Sequence, residues 1–326
     1  MKITTIAATA MVVLAAVAHA AALAQAQSDW PTKPVRLIVA AAPGGGTDVV
    51  GRMIAKHLGE RLGQPFVVEN RGGAGGSVAA DAVAKSPADG YTLLMTNDQL
   101  TVGASFAANT RYDVLKDFAP IGLVGRAPIV LGVNPSVPAN TVAELVALVR
   151  AQPGKFSFSS CGNGTALHLA GELLNLSARI DLAHVPYRGC APALVDVVSG
   201  QVPVFFNMLN NAGPHAKSGA VRLLAVASPQ RLPGNPSLPT LAESGFPGFE
   251  AYPWFGILAP AGTPRDVIAR LGAEISAAVR TPEFSERLQS MSFDPTTVTP
   301  EAFAEILRGD LARWGRVVRE ARIKAE

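Results

Sequence analysis

Short apolar runs alternate with helical spacing along most of this chain. Residues 35–41 (VRLIVAA) form a run suited to a strand buried on both faces, and residues 47–62 carry Val50, Ile54 and Leu58 one turn apart. Residues 66–70 resume the strand pattern, a glycine-rich loop at 71–76 leads into a helix ending near Lys85, and residues 91–96 read as a third strand. A second series starts with a strand at 129–133 and a helix at 141–152, with Thr141 placed to cap it. Strand and helix continue at 156–160 and 165–176, then at 183–187, 191–199, 204–207 and 223–227. Residues 229–248, rich in Pro and Gly, read as an ordered surface connection, followed by a strand at 254–259 and helices from about Pro264, Glu283 and Pro300. Such alternation predicts an α/β protein with largely parallel strands.

The first 26 residues break this pattern. Lys2, an apolar stretch over 6–18 and a small-residue run to Ala26 with Ala-x-Ala sites predict a secretory signal peptide over 1–26. The apolar core is shorter than the roughly 20 residues a membrane span needs. No Cys lies nearby to carry a lipid, so the mature chain is expected outside the cytoplasm. The remaining 300 or so residues suggest two domains.

Charge adds little. The formal net charge is +3, from 28 Lys and Arg against 25 Asp and Glu, without a basic stripe interleaved with aromatics, which argues against a nucleic-acid partner. Arg308, Arg313, Arg316, Arg319, Arg322 and Lys324 read as the solvated face of the last helix. Only two cysteines occur, Cys161 and Cys190. Each follows one of two strands expected to be neighbours, and an exported chain meets an oxidising compartment, so a disulfide is expected between them.

Two strand-to-helix loops carry the candidate chemistry: Ala42-Pro43-Gly44-Gly45-Gly46-Thr47-Asp48 and Ser160-Cys161-Gly162-Asn163-Gly164-Thr165. Free backbone N–H groups at a helix start, reinforced by the helix dipole, hold an anion without a cationic side chain. In open α/β sheets ligands gather outside the strand carboxyl ends. Two such loops facing each other are suited to the anionic end of a ligand. Thr165 can serve either as a donor to that ligand or as a cap for its own helix, and Arg188 is a rival anchor. Neither a G-x-G-x-x-G nor a G-x-x-x-x-G-K-[ST] motif occurs, so nucleotide binding is disfavoured. No G-x-S-x-G elbow or metal-binding Cys/His spacing is present, so neither a metal nor another cofactor is expected. Cys161 beside His168 is the one pair that suggests an enzyme, and a second cysteine able to oxidise Cys161 argues against it. His57, His184 and His215 are isolated and read as surface or hydrogen-bonded residues.

Longer motifs carry a resemblance. Trp30-Pro31-Thr32-Lys33-Pro34, Pro43-Gly44-Gly45-Gly46-Thr47-Asp48, Val68-Glu69-Asn70-Arg71, Asp89-Gly90-Tyr91-Thr92-Leu93, Gly162-Asn163-Gly164-Thr165, His184-Val185-Pro186-Tyr187-Arg188-Gly189 and Ala259-Pro260-Ala261-Gly262-Thr263-Pro264 stand in order through nearly the whole mature chain. In these the sequence closely resembles the Bug family, the TctC-like periplasmic receptors of tripartite tricarboxylate transporters. The resemblance implies a two-lobed type II periplasmic-binding-protein fold, each lobe a mostly parallel sheet flanked by helices, with two crossing strands as hinge near 125–129 and 251–256. Lobe one is then 27–127 plus 253–326, and lobe two 128–252.

The function implied is a monomeric periplasmic receptor, not an enzyme. It would pass a small carboxylate (a dicarboxylate, an amino acid or an aromatic acid) to integral membrane permease subunits; presenting it to a signalling sensor is the alternative. By position, ligand contacts are expected from Gly44, Gly45, Thr47, Asp48, Thr96 and Asn97 in lobe one, and from Gly162, Asn163, Gly164, Thr165, His168 and Asn207 in lobe two. Two departures bear on the ligand. Ala40-Ala41-Ala42 stands where the family often has a Phe, which leaves room, and Asn207 stands where many members have an amine-recognising Asp. Tyr252-Pro253-Trp254 is expected to add aromatic surface.

Overall fold

The strands gather into two five-stranded sheets in a computed structural model that describes residues 29–106 and 110–324. The expected signal peptide lies outside the described residues. The first sheet contains β1 (Val35–Val39), β2 (Phe66–Asn70), β3 (Thr92–Asn97), β4 (Phe118–Arg126) and β10 (Trp254–Pro260), in the order β2-β1-β3-β10-β4. The second contains β5 (Ile129–Val133), β6 (Ser157–Ser160), β7 (Ala183–Pro186), β8 (Val204–Met208) and β9 (Arg222–Val226), in the order β7-β6-β8-β5-β9. β1 runs parallel to β2 and β3, whereas β10 is antiparallel to β3 and β4. β6 is parallel to β7 and β8, and β5 is antiparallel to β8 and β9. Each sheet therefore has four strands pointing one way and one returning strand, as a mostly parallel sheet requires.

Helices cover both faces of each sheet. On one face of the first sheet α1 (Gly46–Leu62), α8 (Arg265–Arg280) and α9 (Pro282–Ser290) bury Ile54, Leu58, Leu271, Ile275 and Leu288 against Val39 and Ile257. On the other, α2 (Ser77–Ala84), α3 (Gln99–Ser105) and α10 (Pro300–Glu320) bury Ala80, Leu100, Phe303 and Leu307 against Leu94 and Trp254. In the second sheet α4 (Val142–Ala151) and α5 (Ala166–Ala178) cover Leu131, Phe158 and Phe206, while α6 (Cys190–Val198) and α7 (Leu209–Lys217) cover Val130 and Phe205. Thr141 caps α4 by accepting from Glu144 N–H. None of the described helices is long and apolar enough to cross a membrane.

Three elements differ from the sequence pattern for local reasons. β4 contains Pro120, Gly122 and Gly125, which interrupt an apolar run, although a side chain at Gly125 would crowd Leu288 of α9. α3 is short and contains Gly103, and α7 contains Gly213 and Pro214, so neither shows a clear stripe.

The chain passes from the first sheet to the second at Ala127 and Pro128 and returns just before β10; Ala127 N–H donates to Pro253 C=O at 2.9 Å, joining the two passages. Arg126 braces them. Its guanidinium lies 4.7 Å from the centre of the Tyr252 ring and donates to Glu250 (3.4 Å) and to Tyr252 C=O (3.2 Å). The Tyr252 hydroxyl donates to Asp294. Arg313 binds both Glu250 and Asp310, so this arginine belongs to the interlobe network and departs from the solvated face expected of it. Two helices span the lobes. α10 places Phe303 and Leu307 in the first core and Trp314, Val317 and Val318 in the second, and α3 contributes Val102 to the second.

Candidate functional site

The loop from β1 into α1 is exposed at Gly44, Gly45 and Gly46. Gly44 takes a left-handed φ of 84°, which side chains rarely adopt. The N-cap of α1 is Gly45, so no side chain at that position accepts from the first-turn N–H groups. Asp48 holds this shape from below. It is buried, and one carboxylate oxygen accepts from Gly44 N–H (2.8 Å) and Arg52 Nε (3.1 Å) while the other accepts from Asn70 Nδ2 (2.8 Å). Arg52 in turn donates to Asn70 Oδ1 at 3.0 Å, closing a triangle. Burial pushes the Asp48 carboxyl up, but the bonds from Arg52, Gly44 and Asn70 together bring it below its ordinary value. Thr47 is buried and accepts from Asn97 Nδ2 (3.2 Å), and Asn97 Oδ1 takes Gln99 N–H (3.1 Å). Thr96 is buried behind them.

The loop from β6 into α5 is more self-contained. Thr165 is the N-cap; its hydroxyl donates to Gly162 C=O at 2.8 Å and accepts from His168 N–H at 3.3 Å. Gly164 N–H donates to His168 Nδ1 (3.2 Å), and Gly162 N–H donates to Ser160 Oγ (3.3 Å). Ser160 Oγ also lies 2.7 Å from His184 Nε2, whose ring stacks on His168 with centroids 3.7 Å apart. Burial, reinforced by His168, lowers the His184 pKa to about 3, so this imidazole is neutral. His184 is thus an integral neighbour of the loop and not isolated. Asn163 at the loop tip is exposed.

A disulfide joins Cys161 at the end of β6 to Cys190 at the start of α6, with Cα atoms 4.3 Å apart. Gly189 N–H also donates to Cys161 C=O at 3.1 Å. Asn207 is fully buried, donating to Cys190 C=O (3.1 Å) and accepting from Met208 N–H (2.8 Å), so it braces the same corner. The disulfide removes the thiolate on which a Cys161 nucleophile depends. Arg188 is exposed beside this corner.

The two loops meet through α3. It starts beside Asn97 and ends at Phe106, whose ring would lie 3.5 Å from a Cβ placed on Gly164. Phe293 similarly stands 3.2 Å from a Cβ on Gly46 and packs on Phe255, with ring centroids 4.7 Å apart. Neither Phe106 nor Phe293 has a sequence signal, because one follows a weak helix and the other lies in an irregular segment. The expectation for Tyr252 and Trp254 is corrected. Trp254 is 1 % exposed, packed on Phe303 with Nε1 donating to Asp310 at 2.9 Å, and Tyr252 is tied to Arg126 and Asp294. A hollow of about 840 Å³ around Thr141, Arg222 and Asn235 lies on the far edge of the second sheet, and none of the expected ligand contacts lines it.

Residues 50–323 match the family model of the tripartite tricarboxylate transporter family receptor. Protein BugT of Bordetella pertussis is 38% identical over 297 residues, covering 90% of this chain and 91% of that protein. Two solved structures from Rhodopseudomonas palustris are similar throughout. Rpa4515 with adipate is 34% identical with a TM-score of 0.70, covering 90% of this chain and 99% of that one. MatC with bound malate is 31% identical with a TM-score of 0.69, covering 89% and 100%.

Proposed function

The chain belongs to the tripartite tricarboxylate transporter receptor family, whose members are periplasmic solute-binding receptors and not enzymes, and from that membership we propose that it captures a small carboxylate between its lobes and delivers it to a membrane permease. One observation carries the reading: α1 begins at an exposed glycine loop without a side-chain cap, while Asp48 holds the loop rigid from beneath. Such a helix start attracts an anion through its N–H groups and dipole. Gly44, Gly45, Thr47 and Asn97 are the contacts on one side, and Gly162, Asn163, Gly164 and His168 those on the other. Asp48, Thr96, Thr165 and Asn207 act as supports, Thr165 as the cap of its own helix. The lobes divide at 27–127 plus 253–326 and at 128–252, with α10 straddling them, and closure bends the two passages braced by Arg126. The receptor works as a monomer in the periplasm after removal of residues 1–26.

Adipate and malate in the related structures support a carboxylate as ligand class. A thermal-shift panel of mono-, di- and aromatic carboxylates, followed by calorimetry on each hit, tests the proposal. A ligand present at about 100 times its Kd adds roughly 2.7 kcal/mol of stability. Millimolar panels that leave the melting temperature unmoved and give no calorimetric heat refute it.

A further inference from the structure

A second cavity lies between the lobes, next to the proposed carboxylate site. Its volume is about 360 Å³, within the range of roughly 300–1,000 Å³ typical of small-molecule pockets. The second lobe supplies Leu209 and Leu232, the first supplies Phe293 and Pro295, and Pro128 of the crossing lies at the junction. Phe293 links it to the glycine loop, since the ring that stands against Gly46 also lines this cavity. The wall contains no Lys, Arg or His. Its polar side chains are Asn235, Gln289 and Ser292, all neutral, and its one ionisable group is the carboxylate of Asp294, already engaged by the Tyr252 hydroxyl.

This wall chemistry selects among carboxylates. A second carboxylate here would find only neutral donors and no cation, and would face the like charge of Asp294, which disfavours it. An uncharged hydrocarbon tail instead removes apolar surface from water on both sides. Resting on the receptor reading above, we infer that this cavity holds the apolar tail of a monocarboxylate whose head is bound at the start of α1. The chain thereby favours monocarboxylates with an alkyl or aryl tail over dicarboxylates of the same length.

Calorimetry on the full chain with butanoate, hexanoate, octanoate and adipate tests this. Each methylene buried is worth about fourfold in Kd, so hexanoate is expected to bind about 15-fold tighter than butanoate and more tightly than adipate, its six-carbon dicarboxylate counterpart. Gly234 lines the cavity and is exposed, and a Cβ added there would meet nothing within 4 Å, so the backbone accepts a side chain at this position and Gly234→Trp tests the cavity. That variant is expected to flatten the chain-length series while leaving butanoate within about twofold. If it fails to fold, Gln289→Trp on the facing lobe replaces it, and the wild-type series decides in either case. A flat wild-type series, or adipate binding more tightly than hexanoate, overturns the tail pocket while leaving the receptor reading intact. Binding of none of these acids, nor of any in the wider panel, overturns both.

Discussion

Replacing Asp48 by asparagine isolates the support beneath the first glycine loop. The carboxylate takes three donors on two oxygens: Gly44 N–H and Arg52 Nε on one, Asn70 Nδ2 on the other. Asparagine has the same shape but only one carbonyl oxygen. If that oxygen serves Gly44 and Arg52, its amide group faces the amide of Asn70, which keeps its bond to Ala41 C=O but loses the acceptor of its other N–H. Losing a hydrogen bond to a charged acceptor costs about 1.5–3 kcal/mol. The Arg52 side chain is 54% exposed and rehydrates, so the ion pair adds little. Asp48→Asn is therefore expected to cost about 2 kcal/mol, or about 4–8 °C in Tm if the lobe melts like a domain of ~150–250 residues.

The pH dependence gives a second, independent reading of the same change. Because the folded Asp48 pKa lies below its ordinary 3.8, the stabilisation by its charge is complete above that value and is lost as pH falls through it towards the folded pKa. The amide of the variant has no charge to lose, so the gap between the two proteins should narrow towards pH 3. Scanning calorimetry at pH 7, 5 and 3 measures it. Equal melting at pH 7, or a gap that is as wide at pH 3, refutes the account of the loop's support.

Three further outcomes follow from the second lobe. The Cys161–Cys190 bond closes a loop with a sequence separation of 29, so its reduction should cost about 3–4 kcal/mol; coincident urea transitions with and without reductant would count against this. Folded His184 titrates near 3, below its ordinary 6.5, so its share of stability is present above pH 6.5 and declines as pH falls towards 3. His184→Phe should flatten the dependence of Tm on pH between 6.5 and 4, and an unchanged slope would contradict the assignment. Thr165→Val should lower stability by about 1 kcal/mol through loss of the α5 cap while changing carboxylate affinity less than threefold; a tenfold loss of affinity at unchanged Tm would assign the hydroxyl to the ligand.

Most of the strands and helices are legible in the sequence because their apolar residues repeat at two or at three to four positions, as in α1 and α4. The less legible elements carry helix or strand breakers for packing reasons. β4 keeps Gly125 where a side chain would press on Leu288, and its pattern reads as irregular. The Cys161–Cys190 pair is legible because the two strands before it are neighbours and the compartment favours oxidation. Trp254 reads wrongly as pocket surface because sequence gives an aromatic's size but not its direction; in β10 it points into the face covered by Phe303. Phe106 and Phe293 reach the loops by tertiary packing, which leaves no local trace in the sequence.

The two glycine loops look equivalent in sequence but differ in how their N–H groups are used. In the second loop Thr165 caps α5, Gly164 N–H is taken by His168 and Gly162 N–H by Ser160, so a ligand there must compete with bonds already made. In the first loop the N-cap is a glycine, Gly44 N–H is taken by Asp48 and Gly45 N–H by Ala42 C=O, and the Asp48 carboxylate is shared with Arg52 and Asn70. That leaves the start of α1 without the side-chain cap that α5 has, although both loops follow a strand and open a helix. Glycine spacing locates such loops, but what each helix start has available for a ligand depends on the residue at the N-cap and on what the next turn folds back to hold.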